Sequence, residues 1–419
     1  MHARHAAAFV AVAQLLSSPV VAAELPARVQ LSLDEALLRA ETASPLVRRA
    51  HRARESVAAL RVGAGVLFPS NPAAFVTVGR RSDASQSMPP SDGVEWGLHL
   101  EQTVELAGQR GTRLAEVDRA IQAAVARERL ARVETRARVR AAYVGALIAE
   151  AQVESARRRE ALAERVLASA RARVQAGAAS DVETHLAEAE HGRVSYERIE
   201  AELAAVDGTA ELRRVLDLPP GTVVALTTAL GQPTLPTSPL DDLLTRAQLR
   251  REELRALEAT RLQLDASVVR LRREVVPSPT LFLDVQRQQP GQTYVGAGLG
   301  VPLPLWRRNQ GELAQVRAER ARTDEEIAIA QHEIAAEVAR LHRTSLARRD
   351  EVSVWTERIV PAANANVELV TQGWRVGKFD LFRVVQVSRE AGEARRKELE
   401  VLGTLWESSI ELGRAVGDL

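Results

Sequence analysis

Residues 94–102 read VEWGLHLEQ, and large apolar side chains occupy every second position of this stretch. The apolar set is Val94, Trp96, Leu98 and Leu100. The positions between them hold Glu95, Gly97, His99 and Glu101. Because successive side chains of a strand point to opposite faces, this period of two predicts a strand with one apolar face and one wet face.

Residues 294–301, YVGAGLGV, repeat the alternation, with Val295, Ala297, Leu299 and Val301 on the apolar side. Weaker strands over 75–81 and 281–286 precede the two stretches, so we expect two strand pairs. The glycines between do not form a dinucleotide-binding loop, because their spacing is GxGxG and prolines follow where a helix should begin. We expect them to be the small residues of the strand's wet face.

The strand pairs belong to two halves of the chain that show the same order of parts. The segment LDEALL at 33–38 opens one half and LDDLL at 240–244 opens the other. LAEV at 114–117 matches LAQV at 313–316, where a long helical stretch begins in each half. We therefore predict two repeats, each made of a helix, two strands and a long helical hairpin.

The boundaries of these repeats follow from the composition of the chain. Basic residues precede an apolar run over 6–16, and Val21 and Ala23 occupy the small-residue positions of a cleavage site, which is typical of a secretory signal. A stretch rich in Pro, Gly and Thr separates the halves and is expected to break helices. The predicted units are a signal peptide at 1–23, a first repeat at 24–218, a linker at 219–239 and a second repeat at 240–419.

Two stretches, 115–176 and 310–372, contain almost no proline or glycine and exceed the length of ordinary globular helices. Apolar and small residues recur in each at a three-four spacing, which predicts closely packed coiled coils. The first seam is Leu130, Val133, Ala137, Ala141, Val144 and Ile148. The second seam is Ile327, Ala330, Ile334, Val338, Leu341 and Ser345.

Gly177 and Gly377 end these long stretches and are suited to the left-handed position that closes a helix. Either Ser180 or Asp181 in the first repeat, and Asp380 in the second, is expected to cap the returning helix. Each repeat is therefore predicted to fold back on itself at its glycine and to form one helical hairpin.

The overall composition excludes several classes of protein. Aromatic residues make up 3% of the 419 residues, too few for a compact core of this size. The formal net charge of +1 argues against binding of nucleic acid, which normally needs a strong basic excess. The chain has no cysteine, which excludes disulfides, thiolate metal sites and lipidation of a cysteine.

In its two repeats, each with a strand pair and a long hairpin, the chain resembles the TolC family of outer-membrane efflux proteins. The sharpest local match is VPLPLWRRNQGE at 301–312, which resembles the passage from the last strand into the following helix in the heavy-metal (cobalt-zinc-cadmium) resistance branch. The tip glycines Gly177 and Gly377 also match. The resemblance covers nearly the whole chain after the signal peptide.

The resemblance implies a homotrimer in the bacterial outer membrane with a periplasmic extension. Four strands from each chain would contribute to a shared transmembrane β-barrel of twelve strands, above a trimeric α-barrel built from the long helical hairpins. It implies a periplasmic adaptor protein and an inner-membrane pump, proton-driven, as partners, with outer-membrane lipid around the barrel. Divalent heavy-metal cations, or drugs, would pass through without chemical change.

The resemblance and the strand pattern together assign residues to three surfaces. The adaptor-docking hairpin tips comprise Gly177, Ser180, Asp181, Gly377, Lys378 and Asp380. The pore-lining set comprises Glu183, Arg383, Glu95, His99 and Glu101. The lipid-facing strand residues are Val94, Trp96, Leu98, Leu100, Val295 and Leu299. Arg383 departs from the family pattern, because some relatives place a carboxylate six residues after the tip glycine.

No catalytic or cofactor-binding constellation is expected. His185 and His191 are six residues apart, and His332 and His342 are ten apart, so neither pair shares a helical turn as metal ligands would. The carboxylates alternate with arginine along predicted helices, which favours solvated ion pairs over acid–base catalysis. We expect neither a cofactor nor a resident metal, and no enzymatic activity.

A periplasmic coiled-coil adaptor or scaffold is the alternative to a channel. Adaptors also carry a long helical hairpin, but usually one, set between β-rich domains. An exported enzyme on a helical scaffold is a third, more remote alternative. Membrane residence and trimerisation would favour the channel, whereas a soluble monomer would favour the adaptor.

Overall fold

The computed structural model describes residues 28–81, 93–289 and 292–419. The predicted signal peptide and the two connections within the strand pairs lie wholly or mainly outside these residues. The elements of the first repeat are β1 Arg28–Leu31, α1 Leu33–Ala43, α2 Pro45–Ala64, β2 Ala73–Arg81, β3 Gly93–Thr103, α3 Gln109–Gln175 and α4 Asp181–Val215.

The second repeat keeps the same order of elements. After β4 Val223–Leu226, which lies in the predicted linker, they are α5 Leu240–Arg250, α6 Glu252–Arg273, β5 Thr280–Gln289, β6 Gln292–Gly300, α7 Gln310–Val354, a π-helical turn Trp355–Ile359, α8 Val360–Arg375 and α9 Leu381–Val416. None of the helices in the described ranges is both long enough and apolar enough to cross a bilayer.

The single helix predicted at the start of each repeat is two helices, which corrects the sequence-based prediction. In the first repeat the break falls at Ser44, because a residue before proline is disfavoured in helical conformation and Pro45 follows. In the second repeat the break falls at Arg251, whose backbone is extended at φ −66° and ψ 118°. The buried Arg251 guanidinium bonds Glu337 of α7 at 2.6 Å, so a tertiary contact accompanies this break.

The predicted linker at 219–239 is not merely a connection, because it contains β4. This strand pairs in parallel with β1, from Arg28 opposite Val223 to Leu31 opposite Leu226. The buried Tyr143 of α3 donates its hydroxyl to the carbonyl of Leu31 at 2.8 Å. The short parallel pair therefore joins the start of the first repeat to the linker and to the middle of the longest helix.

The four remaining strands form one sheet in the order β2-β3-β5-β6, with every neighbouring pair antiparallel. The sheet therefore joins the strand pairs of both repeats through β3 and β5. At several ends the observed strands are one to three residues longer than predicted. Val301, which was predicted to end the last strand, lies just beyond β6. Strands β2 and β6 lie at the two edges of this sheet.

The helices form two tiers below the sheet, and both tiers are four helices wide. In the upper tier α2 packs on α3, α3 on α6, and α6 on α7. In the lower tier α4 packs on α3, α3 on α9, and α9 on α7 and α8. At 1.5 Å per residue, the 67-residue α3 is about 100 Å long and runs through both tiers.

The predicted seam of α7 is confirmed, since all six of its residues are buried. The predicted seam of α3 is wrong in large part: only Val144 of its six residues is buried, and Ala141 is exposed. The buried residues of α3 instead include Thr135, Val139 and Tyr143. This helix contacts α2, α4, α6 and α9 at different heights and on different sides, so its buried positions do not follow a single stripe.

The predicted helix at 310–372 is interrupted by a π-helical turn near Pro361. The amide of Val360 bonds the carbonyl of Trp355, five residues earlier. Proline has no amide hydrogen, and its ring would clash with the carbonyl four residues before it in a regular α-helix. The extra residue in the π turn accommodates this proline without ending the helix.

Candidate functional site: a two-faced sheet and two hairpin tips

The large aliphatic side chains of the sheet and Trp96 share one face, as the alternation predicts, whereas Phe75 and Phe282 lie on the other. Leu98 lies opposite Val76 on β2 and Val285 on β5, and Val285 lies opposite Val295 on β6. Most of these side chains are exposed in the single chain. The largest exposed ones are Val76, Val78, Val94, Trp96, Leu100, Leu281, Leu283, Val295 and Leu299. A sheet face of this composition is unfavourable in water and needs an apolar environment.

The opposite face of the sheet carries a cluster of charged groups around His99. Its Nδ1 lies 2.7 Å from Oδ1 of Asp284 on β5, and its Nε2 lies 3.5 Å from Oε2 of Glu101. The imidazole lies between the rings of Phe75 and Phe282, each 5.6 Å away by ring centroids. His99 and Glu101 therefore share the wet face as predicted, and Asp284 joins them although the sequence did not single it out.

The glycines of β6 lie on this same face and leave room for aromatic rings. A side chain at Gly296 would meet the hydroxyl of Tyr294 at 2.4 Å, and one at Gly298 would meet the ring of Phe282 at 2.3 Å. The far ends of both rings therefore lie directly over the glycines. This arrangement keeps bulky groups close to the sheet, in agreement with a small-residue wet face.

Both hairpin tips close in the same way. Gly177 and Gly377 have φ of 70° and 77°, in the left-handed region where glycine is favoured. The amide of Ala178 bonds the carbonyl of Arg173, and that of Lys378 bonds the carbonyl of Gly373, each at 2.8 Å. This bonding pattern is the glycine-terminated helix end that the sequence predicts.

The caps of the returning helices are also resolved. Ser180, not Asp181, caps α4, with its hydroxyl accepting from the amide of Val182 at 3.2 Å. Asp181 is the first helical residue. Asp380 caps α9 by accepting from the amide of Arg383 at 2.8 Å.

The second tip exposes apolar side chains that sequence reasoning did not single out. Val376, Phe379 and Phe382 are all exposed. The first tip exposes Val182. Two phenylalanines within four residues were a usable signal in a chain that has only six.

Glu183 and Arg383, the two predicted pore-lining residues near the tips, lie in different surroundings. Oε2 of Glu183 lies 4.0 Å from Nε of Arg173 on the same hairpin. Arg173 in turn stacks over the Trp374 ring at 5.3 Å and donates to the carbonyl of Trp374 at 2.8 Å. Arg383 is exposed and bonds Gln386. The structure therefore does not bring Glu183 and Arg383 together within one chain.

An ion pair between a buried carboxylate and a half-exposed arginine joins the two hairpins above the tips. Glu190 of α4 is 6% exposed and accepts from Arg389 of α9 at 2.7 Å. Arg193 of α4 donates to the same carboxylate at 2.5 Å. Burial raises the pKa of Glu190, but the two guanidinium groups outweigh it, so that the pKa lies below its ordinary value.

An apolar stripe on α4 is left uncovered in the single chain. Tyr196, Ile199, Leu203 and Val206 are 59%, 47%, 61% and 59% exposed. Their three-four-three spacing places them on one side of the helix, as in a coiled-coil seam. In the described part of the chain, α2 and α4 make no substantial contact with α7 or α8. The stripe thus lies at an open edge of the lower tier.

Within the described ranges, no group of three histidine, aspartate or glutamate residues could hold a metal ion. His185 is largely exposed, and its Nδ1 lies 3.7 Å from a carboxylate oxygen of Glu188. The two nitrogens of His99 point to different carboxylates, so its cluster does not converge on one point.

Comparison with known proteins identifies relatives of this architecture. The sequence profile of the family described as outer membrane efflux protein matches residues 49–217 and 243–418. The cobalt-zinc-cadmium resistance protein CzcC of Cupriavidus metallidurans is 27% identical over 337 residues, which cover 75% of either chain.

Solved structures share the fold at low sequence identity. A crystal structure of CusC superimposes with a TM-score of 0.74 at 13% identity and covers 92% of both chains. The outer membrane channel CmeC of Campylobacter jejuni gives a TM-score of 0.75 at 14% identity, over 92% of this chain and 85% of that one. The two-tiered helices and the four-stranded sheet are therefore a shared architecture.

Proposed function

Because this chain belongs to the family of outer membrane efflux proteins, we propose that three copies form a duct that carries divalent metal cations out of the cell. As a member of that family the chain is an outer-membrane channel of a tripartite efflux system. The family assignment decides against the adaptor or scaffold alternative. The trimer, the cargo and the partners are the finer points of the proposal.

The trimer is supported by two uncovered edges of the molecule. These edges lie on the same two sides in the sheet and in both helical tiers. Strands β2 and β6 are the unpaired edges of the sheet. Helices α2 and α4 form one edge of the helical tiers, and α7 and α8 form the other. Unpaired strand edges and exposed apolar stripes favour association with another copy. An edge-to-edge contact of this kind joins different surfaces and forms a ring where the rotation between copies closes.

The direction and number of the strands favour a closed barrel of three copies. With all neighbours antiparallel in a four-stranded sheet, β2 and β6 run in opposite directions. Strand β2 of one copy can therefore continue the antiparallel order by pairing with β6 of the next. Two copies would give eight strands, whose interior side chains fill, whereas three copies of four give twelve and leave a channel.

Within such a ring the two faces of the sheet have separate roles. Val94, Trp96, Leu98, Leu100, Val295 and Leu299 would face lipid. Glu95, His99 and Glu101, together with Asp284, would line the lumen. The carboxylates of this wet face favour the passage of cations over anions.

The cargo proposal rests on the similarity to CzcC, which is a cobalt-zinc-cadmium resistance protein. Conduction needs no resident metal site, since tight binding would slow exit from the channel. Substrate would move passively through the duct. A periplasmic adaptor would dock on the hairpin tips around Gly177 and Gly377, and a proton-driven inner-membrane pump would supply the energy.

Deletion of the gene in its host tests the cargo. We expect the deletion strain to retain more Zn²⁺, Co²⁺ or Cd²⁺ than its parent, measured as cell-associated metal by mass spectrometry, and the plasmid-borne gene to reverse this. A planar apolar dye serves as the control substrate. Unchanged metal content with increased retention of the dye would contradict metal as the cargo while leaving the channel intact.

A further inference from the structure

Four segments join the sheet to the helices below it, and each exposes large apolar side chains. We call them the collar; they are residues 65–72, 104–108, 301–309 and 271–279, the last of which includes the final turn of α6. The exposed apolar residues of the collar are Val66, Leu67, Phe68, Leu106, Val276, Val301, Leu303, Leu305 and Trp306. Trp306 is 83% exposed, the highest value among the large apolar residues of the described chain.

The segment around Trp306 is held in place by hydrogen bonds, so its exposed side chains belong to an ordered segment. Asn309 has φ of 55° and donates through Nδ2 to the carbonyl of Leu271 at 3.0 Å. Gln310 donates to the carbonyl of Trp306 at 2.9 Å, and Arg308 to that of Pro304 at 3.0 Å. These polar side chains fix the backbone of the segment, and its large apolar side chains are left exposed.

The collar also carries exposed positive charge. Arg272, Arg273 and Arg307 are exposed and form no ion pair with any described residue. The carboxylates of Glu105 and Glu274 are paired with Arg113 and Arg270, respectively. Glu312, at the start of α7, is an exposed acidic residue close to the collar in the sequence. An apolar surface flanked by unpaired arginines matches a boundary between hydrocarbon and anionic groups.

A second copy of the chain would cover only part of this surface. The segments 65–72 and 301–309 lie at the open edges, next to β2 and β6. Leu106 and Val276 lie at the inner junctions, between β3 and α3 and between α6 and β5. The next copy in a ring does not reach these inner junctions, whereas a bilayer surrounds all four segments. Lipid is therefore the occupant that accounts for the whole collar.

We propose that the collar lies in the headgroup region of the periplasmic leaflet and binds anionic phospholipid. Trp306 and the collar leucines enter the boundary of the acyl chains, where indole rings are favoured because they combine an apolar body with an N–H donor. Arg272, Arg273 and Arg307 bind lipid phosphate. This inference rests on the proposed function, since it requires that the sheet lies in the membrane.

Quenching of tryptophan fluorescence by brominated lipid tests the position of Trp306. The protein is reconstituted in nanodiscs of phosphatidylcholine and phosphatidylglycerol, with bromine placed near the headgroup or deep in the acyl chain. We expect Trp306→Phe to remove a fluorescence component that shallow bromine quenches more strongly than deep bromine. Trp96→Phe is the matched control, since Trp96 lies on the apolar sheet face and should be quenched whenever the sheet lies in lipid.

Three other outcomes are distinguishable. If the Trp96 component is quenched and the Trp306 component is not, the collar does not contact lipid and the inference is wrong, although the duct stands. If in addition Trp306→Ala lowers the detergent-extracted mass to one chain, the next copy is the true occupant. If neither component is quenched, the sheet is not in lipid and the proposed function fails with the inference.

Native mass spectrometry tests the arginines separately. We expect a variant with Arg272, Arg273 and Arg307 replaced by Gln to lose most of the phosphatidylglycerol that remains bound to the wild-type protein on release from nanodiscs. Arg158→Gln is the control, because Arg158 is exposed on α3 far from the collar. Equal retention by the triple variant and the wild-type protein would overturn the arginine part of the proposal.

Discussion

Glu190 is one of the residues that join the two hairpins of one chain. Its carboxylate accepts hydrogen bonds from Arg389 of the other hairpin and from Arg193 of its own helix. The folded-state pKa lies below the ordinary value of 4.5, because the guanidinium groups outweigh the cost of burial. A carboxylate with a lowered pKa adds stability above the unfolded value, and this stability is lost as pH falls through the folded value.

We therefore predict that Glu190→Gln destabilises the hairpin contact by about 1.5–3 kcal/mol at neutral pH, the range for hydrogen bonds to charged groups. The difference between variant and wild type should shrink as pH falls below 4.5. Thermal unfolding followed by circular dichroism at several pH values measures both effects. Glu188→Gln is the control, since Glu188 is exposed and its pair with Arg171 lies on the surface. A pH-independent difference would show that the charge of Glu190 is not what matters.

For each residue of the strands, the sequence predicted the face of the sheet on which the side chain lies. The alternation from Val94 to Leu100 placed each side chain correctly, because a period of two leaves only two choices. Asp284 was missed, since its importance comes from its position opposite His99 on another strand. The choice between Ser180 and Asp181 as the cap was likewise open until the backbone was seen.

At the scale of elements, the hairpin tips form a surface that the sequence located but did not fully describe. Lys378 is exposed at the second tip, beside Phe379 and Phe382. We predict that Lys378→Glu reduces the amount of adaptor that co-purifies after cross-linking in membranes, while the mass of the assembly is unchanged. Lys397→Glu, at the other lysine of the chain, should have no such effect because it lies within α9. Equal recovery of adaptor with both variants would exclude this tip as a docking site.

The stripe on α4 gives a second prediction at this scale. Leu203 is 61% exposed in the single chain and lies at the open edge of the lower tier. A glutamate at this position would bury a charge in the contact with the next copy, so Leu203→Glu should shift the detergent-extracted mass toward one chain. Ala204→Glu is the matched control, because Ala204 is exposed but lies off the stripe. Retention of the full assembly by Leu203→Glu would remove α4 from the subunit contact.

The elements that the sequence failed to predict have recognisable causes. The pairing of β1 with β4 depends on two four-residue strands almost 200 residues apart, too short and too distant for a local pattern to reveal. The π turn before Pro361 required knowledge that the helix continues past the proline. The seam of α3 was misplaced because several helices, α1 among them, pack on different sides of this helix, whereas the seam of α7 was confirmed along its length.

At the scale of the whole molecule, the repeat in the sequence predicted both the order of elements and the two hairpins. The sequence could not predict how the open edges of the sheet and of the helical tiers are covered, because that depends on the surfaces of other copies. The open sides of the sheet and of both helical tiers coincide, so one mode of association would satisfy all of them.

The molar mass of the protein extracted in mild detergent from the outer-membrane fraction, measured by light scattering, is the decisive measurement for the trimeric duct. We expect an assembly of three chains that is recovered from the membrane and stays in solution only with detergent. A single chain found soluble in the periplasm would contradict it.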